Sequence, residues 1–390
     1  MARYRVAFCT GTRAEYGLLK PLIEQFMSDP NVDTGLIVTG MHLCKEYGNT
    51  IEVIQSDGMP IWDTIDILLS SNTQCSIVKS MGLALLGFSE SLNKIKPDIL
   101  ILLGDRFEAF CAAAAAVVLN IPIAHIHGGE LTEGAIDDAF RHAITKMSYL
   151  HFTSTEEYRR RVIQMGEEPD RVFNVGSLGV ENIKKLKLLD KVELEKELGI
   201  DLSKPYCVCT FHPETLEPDK TIDHLYELIG ALDKVNNQTI IFTGSNADSK
   251  GKKINQIIKS FVDERRSRTY FFLNLGQLKY LSLLKYAQFV VGNSSSGIIE
   301  APALGIPTIN IGSRQNGRVK PQSVFDSKPQ KDEILKTITY VLENSSKLSG
   351  KSLDSLFKGD DVAKRIYDTC ISFLKNGIKN KHFYDIQFNY

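Results

Sequence analysis

A segment of eighteen residues in the first half of the chain carries a dense group of ionisable side chains. Its members include His125, His127, Glu130, Asp137, Asp138, Arg141 and His142. Carboxylates and imidazoles beside a Gly-Gly turn are groups that can transfer protons near neutral pH. Because a His-x-His pair with nearby carboxylates also suits zinc or manganese, the segment predicts either an acid–base site or a metal site.

A second candidate, Gly104-Asp105-Arg106, directly follows an apolar run. A carboxylate at the end of a buried strand can act as an acid, a base or a metal ligand, or it can cap the next helix. The guanidinium of Arg106 can keep Asp105 ionised or bind a substrate anion. The sequence leaves both interpretations of Asp105 open.

Three further residues have types and positions that suit an anionic ligand. Arg13 lies in the turn Gly11-Thr12-Arg13, where it and free amides could meet phosphate oxygens, or where it could pair with a carboxylate. His212 follows the apolar run 206–210, a position for a phosphate donor or a general acid. Arg314 follows the run 308–311 and could meet phosphates or a sugar.

The segment from Gly292 to Pro302 predicts a strand, a turn of small residues and a helix over 296–304. Ser294 and Ser295 would offer hydroxyls and helix N-terminal amides to a diphosphate. Glu300, within that helix, would accept hydrogen bonds from both hydroxyls of a ribose. The alternative is an ordinary serine cap followed by an exposed glutamate.

The elements that must position these residues follow from a regular alternation of short apolar runs and amphipathic stretches. Strands are predicted at 5–9, 34–39, 98–103, 121–125, 150–154, 171–175, 206–210, 239–243, 270–273, 289–292 and 308–311. Strands of this length separated by helices are typical of βαβ units. We therefore predict an α/β protein with two Rossmann-like, doubly wound parallel-sheet domains and a cleft between them.

The glycines near residues 176–179 mark the expected domain boundary. We expect an N-terminal domain over residues 1–180 that carries the acid–base residues, and a second domain over residues 181–365. A final helix and tail, residues 366–390, would pack back on the first domain.

The composition excludes several classes of function. Lys and Arg total 46 and Asp and Glu total 47, so the net charge of -1 argues against a general nucleic-acid binder. The chain starts without a signal pattern, and the uncharged stretch 109–129 is interrupted by Asn120 and Pro122, which argues against a membrane span. The seven cysteines form no C-x-x-C pair. They predict reduced thiols in a cytoplasmic protein.

Seven motifs occur in order along most of the chain. They read T-G-T-R-A-E-Y-G, V-T-G-M-H, G-D-R, H-I-H-G-G-E, D-D-x-x-R-H, F-H-P-E-T and G-N-S-S-S-G-I-I-E. Together they resemble the hydrolysing UDP-N-acetylglucosamine 2-epimerases of bacterial sialic acid synthesis, over residues 5 to about 318. That family has the GT-B fold, with UDP between two Rossmann-like domains, and needs no redox cofactor.

The resemblance implies the conversion of UDP-N-acetylglucosamine and water to N-acetylmannosamine and UDP. In that family a base removes the C2 proton, UDP leaves from C1 in an anti-type elimination, and water adds to the resulting 2-acetamidoglucal. Matching the motifs residue by residue assigns acid–base roles to Asp105, Glu130 and Asp137. The same matching assigns UDP or phosphate contacts to Arg13, His212, Ser294, Ser295 and Arg314, and the ribose contact to Glu300.

One position departs from the family pattern, because several relatives have a carboxylate where this chain has His127. Either His127 or Glu130 takes the acid–base role of that carboxylate. We favour His127, since an imidazole exchanges protons near neutral pH.

Other functions stay open on the sequence. The same reaction could act on UDP-2,4-diacetamido-2,4,6-trideoxyglucose, on the route to legionaminic acid. A retaining GT-B glycosyltransferase, a metal-dependent hydrolase and a non-catalytic nucleotide-sugar sensor are alternatives from other classes. We expect a UDP-sugar ligand, no cofactor, no metal, no nucleic-acid or membrane partner, and a homo-oligomer, either a dimer or a tetramer.

Overall fold

A computed structural model describes residues 3–69, 73–133, 136–214, 219–245, 251–345, 356–357, 359–377 and 380–387. Thr215 of the F-H-P-E-T motif lies outside these residues. The chain divides into two compact units. Unit 1 contains Met1–Glu130, Asp137–Asn182 and Lys358–Tyr390, and unit 2 contains Leu131–Ile136 and Ile183–Phe357.

Unit 1 contains seven strands, each followed or flanked by helices. The strands are β1 Tyr4–Thr10, β2 Val32–Thr39, β3 Ile61–Ile65, β4 Ile99–Leu103, β5 Ile123–Ile126, β6 Leu150–Thr153 and β7 Val172–Asn174. The helices are α1 Arg13–Met27, α2 Ile51–Ser56, α3 Gln74–Ile95, α4 Phe107–Val118, α5 Asp137–Met147, α6 Glu156–Gln164 and α7 Leu178–Lys185. Helix α7 runs across the boundary between the units.

The sheet of unit 1 is parallel throughout, with strand order β3-β2-β1-β4-β5-β6-β7. Strands β1 to β3 extend the sheet to one side and strands β4 to β7 extend it to the other, so the strand order reverses between β1 and β4. These two strands pair through Val6 and Ile99. Central strand β4 reads Ile-Leu-Ile-Leu-Leu and is buried along its whole length, as expected for a parallel strand covered on both faces. Such a reversal is the position at which open α/β sheets bind ligands.

Unit 2 repeats this plan with six strands. The strands are β8 Tyr206–Thr210, β9 Thr239–Thr243, β10 Thr269–Phe272, β11 Phe289–Gly292, β12 Thr308–Ile311 and β13 Val324–Ser327. The helices are α8 Lys191–Leu198, α9 Thr221–Leu232, α10 Gly251–Glu264, α11 Gly276–Lys285, α12 Glu300–Ala303 and α13 Lys331–Glu343. The parallel order β10-β9-β8-β11-β12-β13 reverses between β8 and β11.

A last helix, α14 Val362–Asn376, belongs to unit 1. Its buried residues Val362, Ile366, Cys370 and Leu374 repeat at helical spacing and join the core that covers one face of the unit 1 sheet. The chain therefore crosses from unit 1 to unit 2 and returns to unit 1 near its end.

The prediction of a parallel α/β protein with two doubly wound sheets is confirmed. The sequence interpretation missed the strands β3 and β13 and the helices α2, α3, α6, α7 and α13, and the predicted helix over 296–304 is wrong. That segment forms a 3-10 turn, Ser295–Gly297, followed by the four-residue helix α12. A longer helix would place Pro302 in its interior, where proline lacks an N–H and clashes with the preceding turn.

Among the described residues, no helix is both long and apolar enough to cross a membrane. All seven cysteines are free thiols.

Candidate functional site

The turn after β1 is stabilised from within rather than open to a ligand. Thr12 caps α1, and the carboxylate of Glu15 accepts hydrogen bonds from the amides of Gly11 at 2.8 Å and Thr12 at 3.0 Å. These reciprocal bonds form a capping box. The expectation that both amides are free for phosphate oxygens is therefore wrong. The half-buried Arg13 remains the candidate phosphate ligand of this turn.

Arg106, the residue before α4, has a carboxylate partner two residues along the chain. Its Nε and Nη2 each lie 3.2 Å from a carboxylate oxygen of Glu108. Glu108 is almost fully buried, so the guanidinium supplies the counter-charge that a buried carboxylate needs. This pairing fixes the direction in which Arg106 can present its remaining N–H groups.

Asp105 lies at the end of β4 and does not cap the next helix. The residue at the cap position of α4 is Arg106, which makes no capping bond through its side chain. The carboxylate of Asp105 instead accepts a close hydrogen bond from Nη2 of Arg141. A guanidinium this near favours the ionised form of the carboxyl group.

Arg141 joins three parts of unit 1 and is almost fully buried itself. Besides Asp105, it donates to Oδ1 of Asp138 at 3.1 Å and to the main-chain oxygen of Glu130 at 3.0 Å. Because Asp105 follows β4, Glu130 follows β5 and Arg141 is on α5, the guanidinium fixes these three elements relative to one another.

The imidazole of His127 forms a dyad with Glu130. Its Nδ1 lies 2.9 Å from Oε1 of Glu130, which also accepts a hydrogen bond from the hydroxyl of Ser154 at 3.1 Å. A carboxylate can only accept, so Nδ1 of His127 carries the proton of this hydrogen bond. Nε2 of His127 is buried and has no hydrogen-bond partner among the described residues. This arrangement is that of a general base oriented by a carboxylate.

The backbone at His127 differs from that of a strand. Strand β5 ends at Ile126, and His127 has a left-handed conformation with φ of 67°. A histidine in this region is uncommon and costs free energy, which is typical of functional positions. His127 and His125 therefore do not share one face of a continuing strand.

His125 has a structural role that argues against its use as a metal ligand. The ring is completely buried, with Nε2 2.7 Å from the main-chain oxygen of Gly104 and Nδ1 3.1 Å from the hydroxyl of Thr145. Because a carbonyl oxygen can only accept, Nε2 is protonated and Nδ1 accepts from Thr145. Burial lowers the pKa of His125 to about 3, so the ring is neutral. Among the described residues, no group of three His, Cys, Asp or Glu side chains could hold a metal ion.

Helix α5 begins with the predicted acid–base residue Asp137, which is partly exposed. One turn later, His142 lies 3.5 Å from Asp138 through its Nε2. Burial lowers the pKa of His142, and its Nδ1 has no hydrogen-bond partner among the described residues. Acidic residues in the first turn of a helix are stabilised by the helix dipole.

Unit 2 places its candidate residues at the reversal between β8 and β11. The amide of His212 donates to Oδ1 of Asn293 at 2.7 Å, and Nδ2 of Asn293 donates back to the main-chain oxygen of His212 at 2.8 Å. The close approach requires Gly292, since a Cβ there would lie 1.9 Å from the main-chain oxygen of Thr210. The sequence interpretation did not assign this bracing role to Asn293.

The segment after β12 adds two side chains to the group around His212 and Asn293. Nη1 of Arg314 and Nε2 of Gln315 donate to the main-chain oxygen of Asn293, at 3.2 Å and 2.8 Å. Burial, with a smaller effect of the Arg314 charge, lowers the pKa of His212 to about 3. His212 is therefore neutral and can donate one N–H to an anion, but it holds no second proton for acid catalysis.

The small-residue turn after β11 is tied to α11. The hydroxyl of Tyr280 donates to Oγ of Ser296 at 2.8 Å, and Ser294 caps the 3-10 turn. Glu300 is the first residue of α12 rather than a residue within a longer helix. Burial and the charge of Glu300 raise the pKa of Tyr280 to about 12. Ser294 and Ser295 thus lie at a short, irregular turn, and the expected long helix dipole does not contribute here.

Each unit thus gathers candidate residues at its own strand reversal. Unit 1 joins Asp105, His127 and Glu130 into one network, and unit 2 joins His212 to Arg314 through Asn293. The central role of Arg141 was not predicted, and a signal was available: an arginine four residues after the acidic start of an amphipathic helix.

Comparison with known proteins reveals extensive similarity. A family model described as UDP-N-acetylglucosamine 2-epimerase matches residues 24–370. The GDP/UDP-N,N'-diacetylbacillosamine 2-epimerase (hydrolyzing) of Campylobacter jejuni is 42% identical over 327 residues, which cover 84% of this chain and 85% of that protein. The polysialic acid biosynthesis protein P7 of Escherichia coli is 41% identical over 389 residues, 98% of this chain and 97% of its own.

The fold also resembles solved structures. The crystal structure of UDP-GlcNAc 2-epimerase from Neisseria meningitidis, bound to UDP-GlcNAc, aligns with a TM-score of 0.77 at 17% identity. The alignment covers 95% of this chain and 100% of that chain. At this identity the likeness shows a shared GT-B-like fold.

Proposed function

This chain belongs to the UDP-N-acetylglucosamine 2-epimerase family and is a UDP-sugar 2-epimerase, and from that premise we propose that it is a hydrolysing enzyme acting on UDP-N-acetylglucosamine. The proposed reaction consumes one water and yields N-acetylmannosamine and UDP. A base removes the C2 proton while the C1–O bond to UDP breaks, which leaves a 2-acetamidoglucal. Water then adds its hydroxyl at C1 and a proton at C2, on the face that inverts C2.

The single observation that carries this proposal is the His127–Glu130 dyad. It presents a basic ring nitrogen whose tautomer is fixed by a buried carboxylate. A C2 proton is only weakly acidic, so its removal needs a positioned base of this kind. The neutral imidazole would take the proton, and the carboxylate of Glu130 would stabilise the imidazolium that forms.

We assign the second proton-transfer function to Asp105. Its carboxylate is held beyond the end of β4 by Arg141, which is four residues beyond Asp137, the first residue of α5. One of these two carboxyl groups would deliver the proton to C2 when water adds. Two separate acid–base groups are needed because the proton leaves one face of C2 and arrives on the other.

Each unit offers cations or N–H and O–H donors of the kind that a leaving diphosphate needs. We assign Arg13 and Arg106 of unit 1 to its negative charge, and His212, Ser294, Ser295 and Arg314 of unit 2 to its oxygens. Cations and N–H donors aimed at a departing phosphate stabilise charge that develops in the transition state. We assign Glu300, the first residue of α12, to the ribose hydroxyls.

The experiment that tests the proposal uses UDP-N-acetylglucosamine alone, in deuterated water, followed by NMR. We expect free N-acetylmannosamine that carries deuterium at C2, with one equivalent of UDP. Retention of the original hydrogen at C2 would exclude proton exchange with solvent. Absence of turnover without an added acceptor would favour a glycosyltransferase, and loss of activity with a chelator would favour a metal-dependent hydrolase.

A second candidate substrate is UDP-2,4-diacetamido-2,4,6-trideoxyglucose, the UDP derivative of N,N'-diacetylbacillosamine. The similarity to the Campylobacter jejuni relative, a GDP/UDP-N,N'-diacetylbacillosamine 2-epimerase, supports this substrate. The same assay with both UDP-sugars in separate tubes decides between them. A kcat/KM at least tenfold higher for one sugar identifies the substrate, since one tenfold step is about 1.4 kcal/mol of transition-state binding.

A further inference from the structure

A buried charge cluster in unit 1 lies outside the residues assigned to the reaction. Glu167, in the loop after α6, is completely buried. Its carboxylate is surrounded by Nε2 of His151 at 2.9 Å, Nζ of Lys146 at 2.6 Å and Nζ of Lys381 at 2.7 Å. Lys381 comes from the tail beyond α14, more than 200 positions away along the chain.

The ammonium group of Lys381 also caps the carboxyl end of α5. Besides Glu167, it donates to the main-chain oxygens of Lys146 and Ser148, both at 2.7 Å. Helix α5 ends at Met147, so these oxygens belong to its last turn and to the residue just beyond it. Carbonyls at a helix end have no partner within the helix, and a cation there is favourable for the dipole as well.

The neighbouring tail residues form a strap along the same region; we call residues 380–384 the C-terminal strap. Nη2 of Arg171 donates to the main-chain oxygen of Asn380 at 2.8 Å. The amide of Tyr384 donates to the main-chain oxygen of Gly166 at 3.0 Å. The ring of Phe383 lies under the Lys146 ammonium, 4.5 Å from its centroid. The strap is thus attached at several points to the segment that follows α5.

Helix α5 is the element that the proposed reaction depends on. It is only eleven residues long and carries Asp137 and Arg141, whose guanidinium holds Asp105 and the Glu130 backbone. A short helix has little stability of its own and depends on packing and capping. A small movement of α5 along its axis would move Arg141 relative to Asp105.

We propose that the C-terminal strap positions α5 for catalysis, and that Lys381 is the positioning residue that acts through the carboxyl end of that helix. The inference rests on the proposed acid–base function of the network around Arg141. Loss of Lys381 leaves Glu167 with the ammonium group of Lys146 and the hydrogen bond to His151, so the buried carboxylate keeps one counter-charge. The effect should therefore be local to α5 rather than a loss of the fold.

The test compares Lys381→Met with Lys364→Met. Lys364 is an exposed residue of α14 that pairs with Asp368, so it controls for loss of a lysine in the same part of the chain. For Lys381→Met we expect kcat with UDP-N-acetylglucosamine to fall about tenfold or more, since misplacement by about 1 Å can cost about a hundredfold. UDP affinity should change less than kcat, and amide hydrogen exchange over 137–147 should become faster.

A second pair of measurements keeps the inference testable if Lys381→Met folds poorly. Phe383→Ala loosens the strap without leaving a buried charge, and should shift exchange and kcat in the same direction by smaller factors. A chain ending at residue 379 should regain activity when a synthetic peptide of residues 380–390 is added. Restoration by the peptide separates positioning by the strap from general damage to unit 1.

Three results would overturn the inference: unchanged exchange over 137–147 in a folded Lys381→Met protein, unchanged kcat, or no restoration by the peptide. The exchange measurement needs no turnover. If the wild-type protein converts no UDP-sugar, the proposed reaction fails, while the exchange data still show whether the strap holds α5.

Discussion

The two units use the same strand reversal in chemically different ways. In unit 1 the reversal is surrounded by ionisable side chains that bind one another, with Arg141 bound to Asp105 and His127 bound to Glu130. In unit 2 the corresponding position is braced mainly by amides, through the two-way bonds between Asn293 and the backbone of His212. The same order of six strands, which unit 1 extends by β7, therefore carries two different sets of side chains.

The difference indicates a division of labour within the proposed reaction. Proton transfer at carbon needs groups whose charge changes, and the unit 1 network stabilises such changes with buried partners. Binding of a nucleotide needs a rigid set of donors that stays the same, and the backbone-anchored group of unit 2 suits that requirement. Variants of the acid–base residues in unit 1 should thus reduce kcat, and variants of this group in unit 2 should reduce affinity for UDP.

The largest expected effect is for Asp105→Asn. We expect turnover to fall about 10³- to 10⁴-fold, at the upper end for a lost acid–base group, because Arg141 also loses a counter-charge. UDP affinity measured by calorimetry should stay near the wild-type value. Asp98→Asn, at the amino end of the same strand, is the matched control and should retain turnover. A large loss of UDP affinity in Asp105→Asn would contradict the division of labour.

His127→Asn should have the next largest effect. Asparagine tolerates the left-handed backbone of this position, so the substitution removes the imidazole with little strain. We expect kcat to fall about 10²- to 10³-fold, with unchanged UDP affinity. The control is His224→Asn, which breaks the His224–Glu214 pair of unit 2, 3.1 Å apart. Equal losses of kcat in both variants would show that a His–Glu pair alone does not mark the catalytic dyad.

Glu300→Ala should reveal the opposite behaviour in unit 2. We expect UDP binding to weaken by about 1 to 3 kcal/mol through lost charged hydrogen bonds. The substitution should affect kcat at saturating substrate much less than the two unit 1 variants do. Glu197→Ala, which removes an exposed partner of Lys279, is the control for loss of a glutamate. Calorimetry that finds the wild-type UDP affinity in Glu300→Ala would remove this residue from the ribose site.

The smallest expected effect concerns a feature that the units share, a buried neutral histidine. The pKa values of His125 and His212 are both lowered to about 3 in the folded protein. In the unfolded chain a histidine has a pKa near 6.5, so between these two pH values the unfolded chain takes up a proton and the folded protein does not. This contribution to stability is present above pH 7 and is lost as the pH falls below 6.5. Each histidine should lower the free energy of unfolding by about 1 kcal/mol between pH 7 and 5.5.

Substitution by glutamine should remove this pH dependence at either site. Chemical denaturation of His125→Gln and of His212→Gln at the two pH values should show a loss smaller by about 1 kcal/mol than in the wild type. An unchanged dependence in His125→Gln would mean that this ring is protonated in the folded protein.

Much of the fold could be predicted because central parallel strands are continuous apolar runs. Strand β4 is an example, with every residue buried. The missed strands β3 and β13 are edge strands that include exposed or half-buried polar residues, so their patterns resemble loops. Helix α3 was missed because exposed Val78 and Leu86 obscure the separation of its apolar and polar faces.

The candidate site was predictable in its location and unpredictable in its bonds. Parallel strands bring their carboxyl ends to one edge, which is why residues after β1, β4 and β5 could be grouped from the sequence. The sequence did contain a sign that Glu15 bonds to the amides of Gly11 and Thr12, because Thr12 and Glu15 have the T-x-x-E spacing of a capping box, and the sequence interpretation did not use it. The same residue types can form a turn that binds phosphate or a turn whose amides bond to its own glutamate. The capping geometry of α1 selects the second.

The sequence by itself determined the features that depend on chain neighbours. These are the alternation of strands and helices and the glycine turns at strand ends. Tertiary structure alone decided the partners and the protonation states. The bond from Arg141 to Asp105 spans 36 positions and that from Lys381 to Ser148 spans 233. Burial sets the pKa of His125, and a side chain is buried only once distant segments have packed around it.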